Sequence, residues 1–189
     1  MSYESSYSSA RNRYYNACSE INRCENRISE LKTQRQQKIN QINQLKTDIK
    51  NHQEALESVT QIIRNEESLN AGFLGITNKT SDATDNFCGM VISSDVTNKN
   101  LTEVYNCETT RTKSTLTNIF DNLRAKKNEL TNKITDLQNQ LRTAESELQD
   151  IESAIRTTEL SLQEWKRVKS NASLDMAYYR RKMNEESAS

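Results

Sequence analysis

The sequence predicts an all-α protein: a long antiparallel coiled-coil helical hairpin with a glycine-containing tip. Three observations carry this. Glycine and proline, the strongest punctuators of regular structure, are nearly missing: there is no proline, and the three glycines, Gly72, Gly75 and Gly89, share one stretch. Apolar residues recur at alternating spacings of three and four on both sides of that stretch. Hydrophobic residues make up only 33% of the chain against 28% charged, with a mean hydropathy of −0.91. That is enough to fill a narrow seam and too little for a thick core.

The first arm spans about residues 3–70. Its a positions are Tyr7, Tyr14, Ile21, Ile28, Arg35, Ile42, Ile49, Leu56 and Ile63. Its d positions are Tyr3, Ala10, Ala17, Cys24, Leu31, Lys38, Leu45, His52 and Val59. The second arm, about 101–184, has a at Phe120, Lys127, Ile134, Leu141, Leu148, Ile155, Leu162, Lys169, Met176 and Met183. Its d positions are Leu116, Leu123, Leu130, Leu137, Ala144, Ile151, Thr158, Trp165, Ala172 and Tyr179. Heptads sustained this long specify a left-handed coiled coil, because the seam must keep facing one partner.

Between the arms, about 71–100 reads as the tip, where the glycines let the chain turn back. Residues 1–189 then form a single hairpin with arms roughly 90–100 Å long, at about 1.5 Å per residue. An antiparallel register that gathers polar core residues sets His52 beside Lys127, Arg35 beside the small Ala144, and Tyr14 beside Trp165. The tip carries an apolar set, Leu69, Phe73, Leu74, Ile76, Phe87, Met90, Val91 and Ile92. This suggests a folded knob. "SDATDNF" reads as a short helix capped by Ser81 or Asp82. The same heptads also allow a homodimer, although two parallel chains would leave the glycines as an interruption in a rod.

Function is constrained mostly by exclusion. With 26 basic and 26 acidic residues the chain is neutral, and no basic block suited to a phosphate backbone stands out, so nucleic acid is not an expected partner. No run approaches eighteen apolar residues, so no membrane span is expected. "MSYESSYSSARNRYY" lacks the charged and apolar regions of a Sec-type signal. The expected location is cytoplasmic, with any export following a partner by a route that cleaves no signal peptide. No nucleophile–base pair, phosphate loop or paired-carboxylate motif emerges, so an enzyme is the least favoured class, and no cofactor is expected. The single histidine, His52, reads as a polar core residue that makes the seam mildly pH-sensitive. Cys18, Cys24, Cys88 and Cys107 lack the spacing of a zinc site. Free thiols are the favoured reading, with a Cys88–Cys107 disulfide as the alternative. Asn78, Asn100 and Asn171 head chance Asn-x-Ser/Thr matches.

Two surface features point instead to a protein partner. Aromatic residues crowd the open end, and Tyr15 and Tyr178 lie off the seam. Leu160 and Leu174 both occupy f positions two heptads apart, where a two-helix coil is most exposed. An apolar pair there suits a partner helix. The candidate contacts are Leu160, Leu174, Tyr178 and Tyr15, with Phe73, Phe87 and Met90 at the tip.

At "NFCGMV" the chain resembles small proteins of the WXG type, helical hairpins whose turn carries Trp-x-Gly. Phe87-Cys88-Gly89 looks like a Phe-x-Gly variant, which makes Phe87 and Gly89 the turn motif. "YYNACSEINRCENRISELKTQRQQ" and "LQNQLRTAESELQDIESAIRTTELSLQEW" are similar to the opening and closing helices of YwqH-like proteins. The resemblance implies a non-enzymatic adaptor or chaperone that binds the helical N-terminal domain of an LXG-type toxin of bacterial type VII secretion. The family's Tyr-x-x-x-Asp/Glu export signal is missing: Lys182 follows Tyr178 and Met183 follows Tyr179 at that spacing. This favours a partner that supplies the signal. A structural coiled-coil scaffold or spacer, self-associating through the Leu160–Leu174 stripe, is the alternative. A prefoldin-like holdase would need a strand-forming tip, which "ITNKTSDATDNF" does not offer.

Overall fold

The computed structural model describes residues 2–90 and 95–187, and the side chains of all of these except 84–102. Among the described residues the chain is all-helical, in three elements: α1 (Tyr3–Arg64), α2 (Glu66–Met90) and α3 (Asp95–Ser187). The missing prolines explain their length, since nothing removes an amide donor from the ladder. Glu4 in the first turn of α1 and Arg64 in its last turn complement the helix dipole.

The first interruption is a single residue. The Asn65 amide donates to the Ile62 carbonyl at 3.1 Å, which tightens the last turn of α1. The Asn65 carbonyl then accepts from Leu69 at 3.0 Å and opens α2. Asparagine is a preferred residue at such a start, and Glu66 and Glu67 fill the acidic first turn.

The glycines do not stop the helix. Gly72 and Gly75 both lie inside α2, as do Ser81 and Asp82, so these last two are interior residues and not caps. Neither glycine needs an unusual backbone, and a Cβ built on either would meet nothing within 4 Å. The helix absorbs the propensity cost of about 1 kcal/mol for each. Leu69, Leu74 and Ile76 are 51%, 53% and 66% exposed, so they form no buried knob. Phe73 is half-buried.

Two long helices pack against each other to make the core. It falls into two compact units, residues 1–45 with 140–189, and residues 46–139. In the first, Ala10, Ala17, Ile21, Cys24, Ile28, Leu31, Ile42 and Leu45 of α1 are buried, with Ala144, Ile155 and Ala172 of α3. In the second, Ile49 is buried with Phe120, Leu130, Ile134 and Leu137. Every one of these sits on an expected a or d position. Each large member contributes about 1.5–3 kcal/mol when fully buried, so stability is spread along the seam.

The pairs across the first unit differ from the expected register. Arg35 bonds Glu152 at 2.8 Å, well past Ala144, and Lys38 bonds Glu147 at 2.7 Å. Arg13 pairs with Asp175 at 2.8 Å and Lys166 with Glu25 at 3.4 Å. The Tyr14 ring lies under the Lys169 ammonium, 5.5 Å from its centroid. Long side chains at seam positions reach out to flanking carboxylates, which a pairing based on a and d residues alone ignores. In the second unit Glu66 pairs with Arg124, and the Tyr105 hydroxyl donates to the Thr77 carbonyl.

Candidate functional site

The outer face of α3 toward its C-terminal end carries the most exposed leucines of the first unit. Leu160 is 66% and Leu174 68% exposed. Fourteen residues are close to four whole turns, so both side chains leave the same face, roughly 21 Å apart along the axis. Tyr178 stands one turn beyond Leu174 and adjoins it.

Cations organise the tyrosines. Tyr178 meets Tyr179 edge to face at a centroid distance of 5.3 Å, and the Arg181 guanidinium lies 5.9 Å from the Tyr178 centroid. On α1, Tyr15 meets Tyr14 edge to face at 5.7 Å, with the Arg11 guanidinium 5.6 Å from its centroid. Each exposed ring therefore has a guanidinium on its face, an attraction worth about 0.5–1 kcal/mol at such sites. The Lys182 ammonium donates to Glu185 at 2.6 Å. That hydrogen bond and its attraction hold Glu185 below its ordinary pKa and Lys182 above its own.

The expected contact residues fall into separate groups. Leu174 lines a groove with Tyr14, Lys166, Lys169, Ser170 and Ser173. Leu174 and Tyr178 thus belong to one patch that Leu160 extends along α3. Tyr15 stands on α1 at a b position and joins Tyr14 and Arg11 instead. Phe73 belongs to the second unit. Phe87, Gly89 and Met90 lie in the last part of α2, and the side chains of Phe87 and Met90 are outside the described residues. So is that of Cys88; Cys18, Cys24 and Cys107 are free thiols.

The sequence reading missed the arginines. Arg11 precedes Tyr15 by four residues and Arg181 follows Tyr178 by three, spacings at which helical side chains meet. That signal was available. Elsewhere, half-buried His52 donates from Nδ1 to the Asp48 carbonyl at 2.7 Å. Among the described residues no three His, Cys, Asp or Glu side chains converge as metal ligands, and no helix is long and apolar enough to cross a membrane.

Comparison with protein-family models, with curated proteins and with solved structures finds no match to this chain.

Proposed function

We propose that this chain is a non-enzymatic helical adaptor, built as an antiparallel coiled-coil hairpin. A partner's amphipathic helices dock laterally on α3. The pairs Arg13–Asp175, Glu25–Lys166, Arg35–Glu152 and Lys38–Glu147 support the antiparallel reading, because partner numbers on α3 fall as those on α1 rise. They favour a register about one heptad away from the one that matches Arg35 with Ala144.

The observation that carries the docking reading is the pair Leu160 and Leu174, two-thirds exposed on one face of a helix whose other large aliphatics mostly serve the seam. The family resemblance of the arms and of Phe87-Cys88-Gly89 supports a specific client, the helical N-terminal domain of an LXG-type toxin exported by a type VII system. In this reading the partner supplies the export signal, because Lys182 and Met183 stand where the Tyr-x-x-x-Asp/Glu motif would place its acid after Tyr178 and Tyr179.

The test is the absolute mass by light scattering of the chain alone and co-expressed with such a domain. The expected result is a defined heteromeric complex that L160E/L174E abolishes while helix content is unchanged. A homodimer that ignores the toxin domain and falls apart in the same variant would replace the adaptor with a self-associating scaffold.

A further inference from the structure

Resting on the docking reading, the charges around the exposed leucines identify the kind of helix that fits there. Leu160, Arg167, Leu174 and Arg181 follow one another at intervals of seven, so they form one column along the outer face of α3. Apolar and basic residues alternate in it. Arg167 and Arg181 are 74% and 69% exposed, and their ion pairs with Glu164 and Glu185 are both long, at 3.8 Å. Exposed pairs of that length hold a guanidinium weakly, at about 0–1 kcal/mol. Both arginines therefore remain available to a stronger, bidentate carboxylate from outside. Tyr178, beside Leu174 and under Arg181, widens the column with an amphipathic ring suited to interfaces.

We infer that the occupant of this column is an acidic amphipathic α-helix, with apolar side chains two heptads apart and a carboxylate midway between them. The seven-residue interval selects a helix, because a partner helix presents side chains at that period over the same length. The alternation selects acid: each apolar anchor is followed by an arginine that a carboxylate one heptad along would neutralise. An anionic bilayer is a poorer match. Surface-lying helices offer a broad apolar face, whereas this column is one residue wide.

The test uses two labelled helical peptides of four heptads, each with leucines fourteen residues apart. One carries glutamate midway between the leucines and one heptad after the second; the other carries lysine there. Fluorescence anisotropy with the full chain should give at least a tenfold tighter Kd for the acidic peptide, weakening as salt rises. R167E/R181E should reverse the preference, which separates a charge effect from a folding defect. Equal binding of both peptides, binding of neither, or binding of phosphatidylserine vesicles in preference to the acidic peptide would overturn the inference. If the toxin-domain complex is broken by L160E/L174E yet indifferent to R167E/R181E, the docking reading stands and the acidic partner fails. If that complex never forms while the acidic peptide binds, the client is wrong and the surface is right.

Discussion

Arg35 and Glu152 are bonded at 2.8 Å, Nε to Oε1, at a level where the seam of the first unit holds no fully buried side chain. Neither Leu31 to Ile42 on α1 nor Ala144 to Ile155 on α3 encloses a buried residue between its ends. Lys38 and Glu147 close the same gap. The two seam cations are only partly screened from water, with Arg35 44% and Lys38 22% exposed. Such pairs add little stability, and polar groups in a seam mainly select one register over its neighbours.

Replacing both cations with leucine, R35L/K38L, should therefore stabilise the protein. Full burial of a leucine is worth about 1.5–3 kcal/mol, and these sites are roughly half enclosed. A gain of about 2 kcal/mol corresponds to a rise of roughly 4–8 °C in Tm for a chain of this size. Thermal unfolding followed by circular dichroism measures it. A lower Tm would mean that the ion pairs are a principal support of the seam.

The buried seam was legible residue by residue, because a heptad needs only the apolar positions, and Ala10, Ile28, Phe120 and Ala172 all follow it. The register was not. Sliding one arm by seven residues leaves every a and d facing inward, so only polar positions discriminate, and Arg35 reaches beyond the seam to Glu152. The glycines misled for a related reason. A helix carries Gly72 and Gly75 at a modest propensity cost, and composition cannot distinguish a tolerated glycine from a required one. The exposure of Leu160 and Leu174 followed directly from their f positions, whereas the guanidinium on Tyr178 required counting Arg181 three residues further on.

Gly75 offers a direct check. Its Cβ would enter open space within a helix, so G75A should stabilise by about 0.5–1 kcal/mol. The Tm should rise by roughly 1–4 °C. A fall would show that position 75 is held in a backbone that only glycine adopts, as a turn would require.

Ile119 and Phe120 are chain neighbours with opposite fates: Ile119 is 49% exposed and Phe120 2%. F120A removes the largest fully buried side chain among the described residues, and should cost about 3 kcal/mol through lost transfer energy and the cavity left behind. I119A should stay within about 0.5 kcal/mol of the wild type. Urea unfolding of the two variants gives both numbers. Hydrogen exchange of F120A should lose protection first within residues 46–139. Equal effects of the two substitutions would mean that the seam is in another phase at this level.

At the C-terminal end of α3, Lys182 donates to Glu185 at 2.6 Å and fixes the sign of a local pH dependence. The hydrogen bond from Lys182, followed by its attraction, lowers Glu185. Its contribution is thus complete above the ordinary carboxylate range, near pH 4.3, and is lost as pH falls through the lowered value. Lys182 is raised, first by its hydrogen bond to Glu185. Its contribution is complete below the ordinary lysine value, near pH 10.4, and is lost as pH rises through the raised one. Helicity of the last turn should therefore hold level between these limits and fray beyond either. Both groups lie at the surface, so the effect is local and global stability should barely move. Cα chemical shifts of residues 183–187 across pH 2–7 report it, with E185Q expected to remove the acid limb. A wild-type acid limb that E185Q leaves intact would mean that the Lys182–Glu185 pair is not its cause.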